Sequence, residues 1–226
     1  GADNVAIGRI ALTANTTASN NTAVGSLALQ ANTTGTGNTV VGKDAGQSIT
    51  TGNYNTAMGL DSLENVTTAD DNTAIGYYAL QANTGAENTA VGRSALAANT
   101  TANDNMAIGK GAMLANTTGA SNVAIGAAAL DANTTASSNV AIGQGSMTAN
   151  TTGARNVAIG ASSLLTNTTG SFSTAVGYQA LKTEDANGDN VAVGYRALKA
   201  LNAGADAFNT AVGYFALNAL DAGADA

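Results

Sequence analysis

The sequence contains no histidine, cysteine, proline or tryptophan, and aromatic residues make up only 4% of its 226 residues. Without cysteine, the chain has no disulfide bond, no thiolate nucleophile and no zinc site of the cysteine type. Without histidine, it lacks the usual general base, the Ser-His-Asp arrangement and the commonest metal ligand. No convergent group of acidic residues replaces them. We therefore predict that the protein is not an enzyme and holds no metal or cofactor.

Charged residues are also scarce, at 10% of the chain, and 15 Asp and Glu against 8 Lys and Arg give a net charge of −7. An acidic surface repels a phosphate backbone, so no nucleic-acid partner is expected. No run of about 18 apolar residues is present, so no membrane-spanning helix is expected. The chain starts at Gly1 without a signal peptide, which indicates a processed protein or part of a longer one.

One phrase recurs along the whole sequence, first as Asn4-Val-Ala-Ile-Gly8 and last as Asn209-Thr-Ala-Val-Gly213. The glycines that end it are Gly8, Gly25, Gly42, Gly59, Gly76, Gly92, Gly109, Gly126, Gly143, Gly160, Gly177, Gly194 and Gly213. The step is 17 residues, apart from one of 16 and one of 19. Both exceptions fall between phrases, where loops are expected. Residues 1–226 are therefore predicted to form a single repeat domain.

The phrase has the composition of a short β-strand. The residue before each repeated glycine is Ile or Val, except for Met58, and β-branched residues bounded by Asn and Gly favour a strand. Seventeen residues are too few for a βαβ unit or a pair of helices, but they suit one coil of a solenoid. The predicted fold is all-β: a parallel β-solenoid, or β-roll, of about thirteen 17-residue coils. Coils ~4.8 Å apart would make a rod roughly 60 Å long.

Three positions of each coil have a predicted structural role. The repeated glycine ends the strand at a sharp turn with positive φ. The leading asparagine, for example Asn21, stacks on its counterparts and satisfies the backbone of the turn. The leucine four residues after the glycine, for example Leu29, fills the core, and Gly46 is the one gap in that column.

The strand also has a nearly uniform alanine column, in which only Val40 differs. Side chains alternate along a strand, so this column and the Ile/Val column lie on opposite faces. We expect Ile and Val to fill the coil interior and the alanines to pack against a second chain. The alternative is a thin coil with alanine lining a cramped interior.

The phrase Asn-Val-Ala-Ile-Gly followed by two variable residues and Ala or Ser resembles the repeats of trimeric autotransporter adhesin heads. Asn-Thr-Ala-Val-Gly-Tyr-Phe-Ala-Leu at 209–217 is similar to repeats of bacteriophage tail-fibre proteins. The resemblance covers essentially the whole chain, although the adhesin coils are shorter and lack the Ala-Asn-Thr-Thr extension of residues 14–17. It implies a left-handed roll and a homotrimer outside a cell or on a virion, working in attachment.

A threonine pair ends this extension in most coils. Its second members form a possible threonine face: Thr17, Thr34, Thr51, Thr68, Thr101, Thr118, Thr135, Thr152 and Thr169. A ranked threonine array suggests ice binding, but a flat array needs threonines two apart rather than adjacent. We favour a threonine ladder that hydrogen-bonds along a turn. Asn-Thr-Thr is also a glycan acceptor pattern, and it occurs at Asn15, Asn32, Asn99, Asn116, Asn133, Asn150 and Asn167. In a bacterial or viral fibre, which we favour, this pattern would have no consequence.

Tyrosine follows the repeated glycine in four coils, at Tyr77, Tyr178, Tyr195 and Tyr214. The position is variable, which predicts exposure, and exposed tyrosine often contacts sugars or protein partners. Contact with a neighbouring chain is the alternative, and we favour it. The segment 185–189 begins like a calcium loop, but Asn190 and Arg196 stand where such a loop has Gly and Glu, so a solvated turn is expected.

These features predict a structural and adhesive segment of an extracellular, cell-surface or virion fibre that presents a binding surface. The expected partners are further copies of the chain, with three favoured, and a host-surface glycan or protein. One alternative is ice binding through the threonine face. The other is a filament subunit joined end to end, because the similar segments 204–207 and 223–226 are in phase.

Overall fold

The computed structural model describes residues 1–184, 186, 188–202 and 208–221. It confirms the predicted all-β parallel β-solenoid, with about twelve turns at a spacing of 17 residues. Thirteen strands form one parallel sheet in which neighbours follow chain order. The described residues contain no helix, and so none that could cross a membrane. The left-handed winding implied by the resemblance stays a prediction.

The strands are three residues long, and those of the large sheet lie just before the repeated glycine. They are β1 (Val5–Ile7), β2 (Thr22–Val24), β3 (Thr39–Val41), β4 (Thr56–Met58), β5 (Thr73–Ile75), β6 (Thr89–Val91), β7 (Met106–Ile108), β8 (Val123–Ile125), β9 (Val140–Ile142), β10 (Val157–Ile159), β11 (Thr174–Val176), β12 (Val191–Val193) and β14 (Thr210–Val212). Strands β13 (Ala200–Asn202) and β15 (Ala219–Asp221) pair in parallel as a second sheet. The register holds across both irregular steps, because Thr73 pairs with Thr89 and Val191 with Thr210.

The repeated glycines turn the chain out of the strands, as predicted. All thirteen have φ between 131° and 147°, a conformation that side chains disfavour. They also stack closely from coil to coil. A Cβ on Gly109 would lie 2.5 Å from the carbonyl oxygen of Gly126. Both the turn and the stacking therefore require glycine.

The core corrects one expectation, because the alanine column faces the interior and the Ile/Val column faces outward. Ala124 has no exposed surface, whereas Ile108 and Ile159 expose 36% and 38% of theirs. The leucines of the opposite side, such as Leu130, are fully buried against the alanines. The coil is thin, and the leucine fills most of its interior, so only a small residue fits across from it. The cramped-interior alternative is thus the correct one, and the alanines are not an interface.

The coil that lacks the leucine shows the same volume constraint. A Cβ on Gly46 would lie 3.1 Å from Ile49 Cδ1 and 3.2 Å from Val40 Cγ2. Val40 stands where other coils have alanine, and Ile49 where most have asparagine. Both are fully buried. Two larger side chains therefore fill the space that a leucine occupies elsewhere.

Two buried asparagine ladders run along the rod. In the predicted one, Asn122 Nδ2 donates to the carbonyl of Ala136 at 2.9 Å, and its Oδ1 accepts the backbone N–H of Asn139 at 2.9 Å. The second ladder consists of the asparagines of the Asn-Thr-Thr segments. Asn133 Nδ2 donates to Asn116 Oδ1 at 2.8 Å, and both side chains are fully buried. In the folded chain these side chains are therefore closed to glycan attachment, except for the half-buried Asn15 at the end of the rod.

Candidate functional site

An uncharged surface lies on the outward face of the large sheet, which we call the outer sheet face. It has two columns, one formed by the first and one by the third residue of each strand. The first column is Val5, Thr22, Thr39, Thr56, Thr73, Thr89, Met106, Val123, Val140, Val157, Thr174, Val191 and Thr210. The third-residue column is Ile7, Val24, Val41, Met58, Ile75, Val91, Ile108, Ile125, Ile142, Ile159, Val176, Val193 and Val212. Neither contains a charged residue.

This face is exposed to a degree that is unusual for such side chains. Met58 and Met106 expose 47% and 40% of their surface, and at the ends of the sheet Ile7 and Val212 expose 60% and 69%. Other residues of the inner strands, such as Val123 and Ile142, are half-buried by their neighbours in the same column. A continuous uncharged strip of this length on one side of a molecule marks an interaction surface.

The threonine pairs lie at a bend, and their two members differ. The first hydroxyl of a pair donates to the carbonyl of the matching threonine in the next coil, as from Thr100 to Thr117 at 2.9 Å. The predicted threonine ladder is therefore present in this column. The second members, among them Thr118 and Thr152, are exposed and form a single line. Gly85 interrupts that line.

Three of the four predicted tyrosines lie together on consecutive coils. The rings of Tyr178 and Tyr195 stack with centroids 5.4 Å apart, and those of Tyr195 and Tyr214 with centroids 5.2 Å apart. The guanidinium of Arg196 lies 5.1 Å from the Tyr195 centroid, and its Nε donates to Gln179 at 3.0 Å. All three tyrosines are exposed, as predicted. Because parallel stacking covers the ring faces, the stripe presents ring edges and hydroxyl groups.

The fourth tyrosine is separate from this stripe. Tyr77 stacks on Tyr78 with a centroid distance of 3.9 Å, and Arg93 lies 5.9 Å from its ring. Six coils separate it from Tyr178, a distance of roughly 29 Å along the rod. The structure therefore does not combine the four predicted tyrosines in one site.

Three carboxyl groups of the rod have raised pKa values. Burial raises the pKa of the Asp131 carboxyl. Burial also raises the pKa of Asp61, and the negative charge of Glu64 adds to the effect. A hydrogen bond to Asp104, together with the charge of that residue, raises the pKa of Glu87. Each shift reflects burial or a neighbouring carboxylate, and at Asp61 these effects outweigh the positive charge of Lys43.

The described part of the chain has no group of three acidic residues that could hold a metal ion. Of the segment 185–189, Asp185 and Asn187 lie outside the described residues, and so do the terminal segments 204–207 and 223–226. The predicted solvated turn and the end-to-end contact stay predictions.

Sequence reasoning missed the outer sheet face because it placed the Ile/Val column inside. A signal was available in the same columns. The first strand position accepts Thr, Val and Met, whereas the middle position accepts only Ala and, once, Val. Tolerance of polarity and size indicates an open face, and a strict size limit indicates an interior.

Comparison with known proteins adds no assignment. No protein-family model matches the chain, and no significant match was found among curated proteins or solved structures.

Proposed function

We propose that the chain is a structural and adhesive segment of an extracellular or virion fibre, assembled as a homotrimer that presents a binding surface. The observation that carries this proposal is the outer sheet face, which is uncharged, apolar in its third-residue column and open along all thirteen strands of the large sheet. No catalytic step is part of the proposal.

The size of the face supports self-association. The rod is roughly 60 Å long, and the strands with their flanking residues are about 20 Å wide, so each chain offers roughly 1,200 Å². A standard stable interface buries about 800 Å² per partner. Residues such as Ile125 and Ile142 lie in register at the strand spacing, so a second copy with the same spacing can match the face coil by coil.

The surface that such a fibre would present is the rim of the seam between copies, where the stripe of Tyr178, Tyr195 and Tyr214 with Arg196 borders the outer sheet face. Hydroxyl groups, a guanidinium and ring edges provide hydrogen bonds to a host-surface glycan or protein. Lys182 and Lys199 belong to the same coils and add positive charge to an otherwise acidic chain.

The first experiment is light scattering of the purified chain at several concentrations. A homotrimer has a mass of about 66 kDa, three times the 22.0 kDa of one chain. We expect substitution of Ile108 and Ile142 by Lys to shift the mass towards one chain, because charges would be buried in the interface. Substitution of Thr118 and Thr152 by Lys in the same two coils is the matched control. A mass of one chain at every concentration would contradict the proposal.

Ice binding comes second as a function. The exposed threonines that support it form one line rather than two, since the hydroxyls of the neighbouring column donate to carbonyls within the rod. Thermal hysteresis in a dilute solution of the chain would favour this alternative. An end-to-end filament is a third candidate, and it would be seen directly by electron microscopy as threads of one-chain width.

A further inference from the structure

The outer sheet face is bordered by two exposed edges of different chemistry. The leading edge is formed by the residue five positions before each repeated glycine, and the trailing edge by the residue just after it. All leading residues except Gly37 are exposed. All trailing residues except Ser26 and Ala161 are exposed as well. The leading edge has five carboxylates and a single cation, Arg155. The trailing edge has four cations and no carboxylate.

The two edges are complementary coil by coil. Three coils have an acidic leading residue together with a charged trailing residue, and in all three the trailing residue is basic. These pairs are Asp3 with Arg9, Glu87 with Arg93, and Asp104 with Lys110. No coil has charges of the same sign on both edges. The two remaining leading carboxylates, Asp71 and Asp189, share their coils with tyrosines, which can donate a hydrogen bond.

The apolar residues of the edges match in the same way. Every aromatic residue of the leading edge shares its coil with a large apolar or aromatic residue of the trailing edge. These pairs are Tyr54 with Leu60, Phe172 with Tyr178, and Phe208 with Tyr214. Tyr54, Phe172 and Phe208 expose 65%, 53% and 72% of their surface in the single chain.

This complementarity is not used within one chain. The two edge residues of a coil are six positions apart across an extended strand, roughly 15–20 Å. Among the described residues the one ion pair joins Lys43 to its neighbour Asp44. Within each edge, stacking instead brings like charges together, as for Glu87 with Asp104 and Arg93 with Lys110. The edges are therefore suited to a neighbour rather than to their own chain.

We propose that copies of the chain lie parallel and in register around an axis along the rod, with the leading edge of each copy beside the trailing edge of the next. Glu87 and Asp104 then pair with Arg93 and Lys110 of the neighbouring copy. This inference rests on the self-association proposed above and specifies its orientation, register and ion pairs.

Two other arrangements fit the edges less well. In an antiparallel pair of facing sheets, each leading edge would lie beside the leading edge of the other copy. Asp104 of the central coil would then meet Asp104, and the three pairs of opposite charge would be lost. A parallel pair shifted by one coil would separate Asp3 from Arg9, and repeating the shift would give an open helix rather than a closed ring. A closed ring requires residues of the same coil to meet.

Charge reversal with rescue tests the pairing. One variant has Glu87→Lys with Asp104→Lys, a second has Arg93→Glu with Lys110→Glu, and a third combines all four. We expect each double variant to raise the concentration at which the assembly half-dissociates by roughly tenfold or more. The combined variant restores opposite charges between copies, and its midpoint should return to within about threefold of the natural chain. Lys182→Glu with Lys199→Glu, away from both edges, is the control and should leave the midpoint unchanged.

Circular dichroism of each variant verifies that the coil is folded. If the combined variant dissociates as easily as the double variants, or if the double variants assemble like the natural chain, the edge pairing is wrong. If the natural chain itself stays at 22.0 kDa at every concentration, self-association fails and the pairing fails with it.

The absence of cysteine allows a direct test of orientation. A chain with Ser121→Cys and Ala127→Cys, in the leading and trailing edges of one coil, is treated with a short bifunctional thiol cross-linker. Parallel, in-register copies should join into covalent rings whose size on a denaturing gel gives the number of copies. Ser121→Cys with Ala161→Cys, two coils apart, should cross-link far less. Equal cross-linking of the two variants would overturn the register.

Discussion

The side-chain oxygen of Asn122 accepts a hydrogen bond from the backbone N–H of Asn139, 2.9 Å away and one coil later. The same contact recurs along the rod, where Asn139 Oδ1 accepts the backbone N–H of Asn156 at 2.9 Å. Each asparagine therefore joins two consecutive coils and also binds a carbonyl across the turn.

Asn122→Ala should destabilise the rod strongly. The change leaves the N–H of Asn139 without a partner in a buried site, which costs about 1–3 kcal/mol, whereas the carbonyl of Ala136 keeps the hydrogen bond from Asn133 Nδ2 at 3.0 Å. Urea unfolding followed by circular dichroism measures the effect. Asn65→Ala is the control, because Asn65 is exposed and other coils have alanine at its position. Equal losses in the two variants would show that the ladder contributes nothing.

Substitutions at Gly109 and Gly111 distinguish two reasons for glycine in a turn, namely a positive φ and close stacking on the next coil. Gly111 has φ 65°, and nothing lies within 4 Å of the position of its Cβ, so Gly111→Ala should cost about 1 kcal/mol through backbone strain alone. Gly109→Ala adds a clash with the carbonyl of Gly126 and should cost at least twice as much or prevent folding. The two unfolding free energies are compared under the same conditions. A smaller loss for Gly109→Ala would disprove the close stacking.

Substitutions at Val40 and Gly46, which share one space in the core, should have strongly coupled effects on the free energy of unfolding. Val40→Ala opens a cavity and should cost about 1–3 kcal/mol, and Gly46→Leu alone overpacks the same space by a similar amount. The double variant recreates the pairing of the other coils and should be more stable than either single variant. A double-mutant cycle of unfolding free energies measures the coupling. Additive losses would mean that the two residues do not share one space.

Mild acid should stabilise the fold. The pKa values of Asp61 and Asp131 are both raised in the folded chain. A raised carboxyl pKa favours the protonated folded state, so its contribution is complete below the unfolded pKa, near about 4, and is lost as the pH rises through the folded value. The melting temperature should therefore be higher near about pH 4 than at about pH 7.

Asp131→Asn removes one of these groups and should narrow the difference between the two melting temperatures. Asp3→Asn, at the exposed end of the rod, is the control variant in which the same difference between melting temperatures is measured. A melting temperature that falls from pH 7 to about pH 4 would contradict the sign of the effect.

Much of the fold follows from the sequence because every coil makes the same contacts. The spacing of the repeated glycines predicts the coil length, and the run between Asn and Gly predicts the strand. The positive φ of glycines such as Gly126, the ladder of Asn122 and the core position of Leu130 are all confirmed. Each of these residues is constrained by identical neighbours above and below it.

What the sequence could not decide is which strand face is inside. Alternation shows that Ala124 and Ile125 point in opposite directions, but both faces are uncharged, so hydrophobicity does not separate them. The decision depends on the leucine of the opposite side, whose volume leaves room only for alanine. The left-handed backbone of that leucine, at φ 53° in Leu130, also has no sequence signal, since glycine is the residue usually expected there.

The unbroken register across the 16- and 19-residue steps has a consequence for how such a chain changes over generations. Since extra or missing residues are absorbed between strands, a gain or loss of one whole repeat in the coding DNA leaves the cross-section unchanged. Only the length of the rod changes, by about 4.8 Å for each repeat. Slippage and unequal recombination, which nearly identical repeats promote, would thus adjust the length of the rod without a new packing problem to solve.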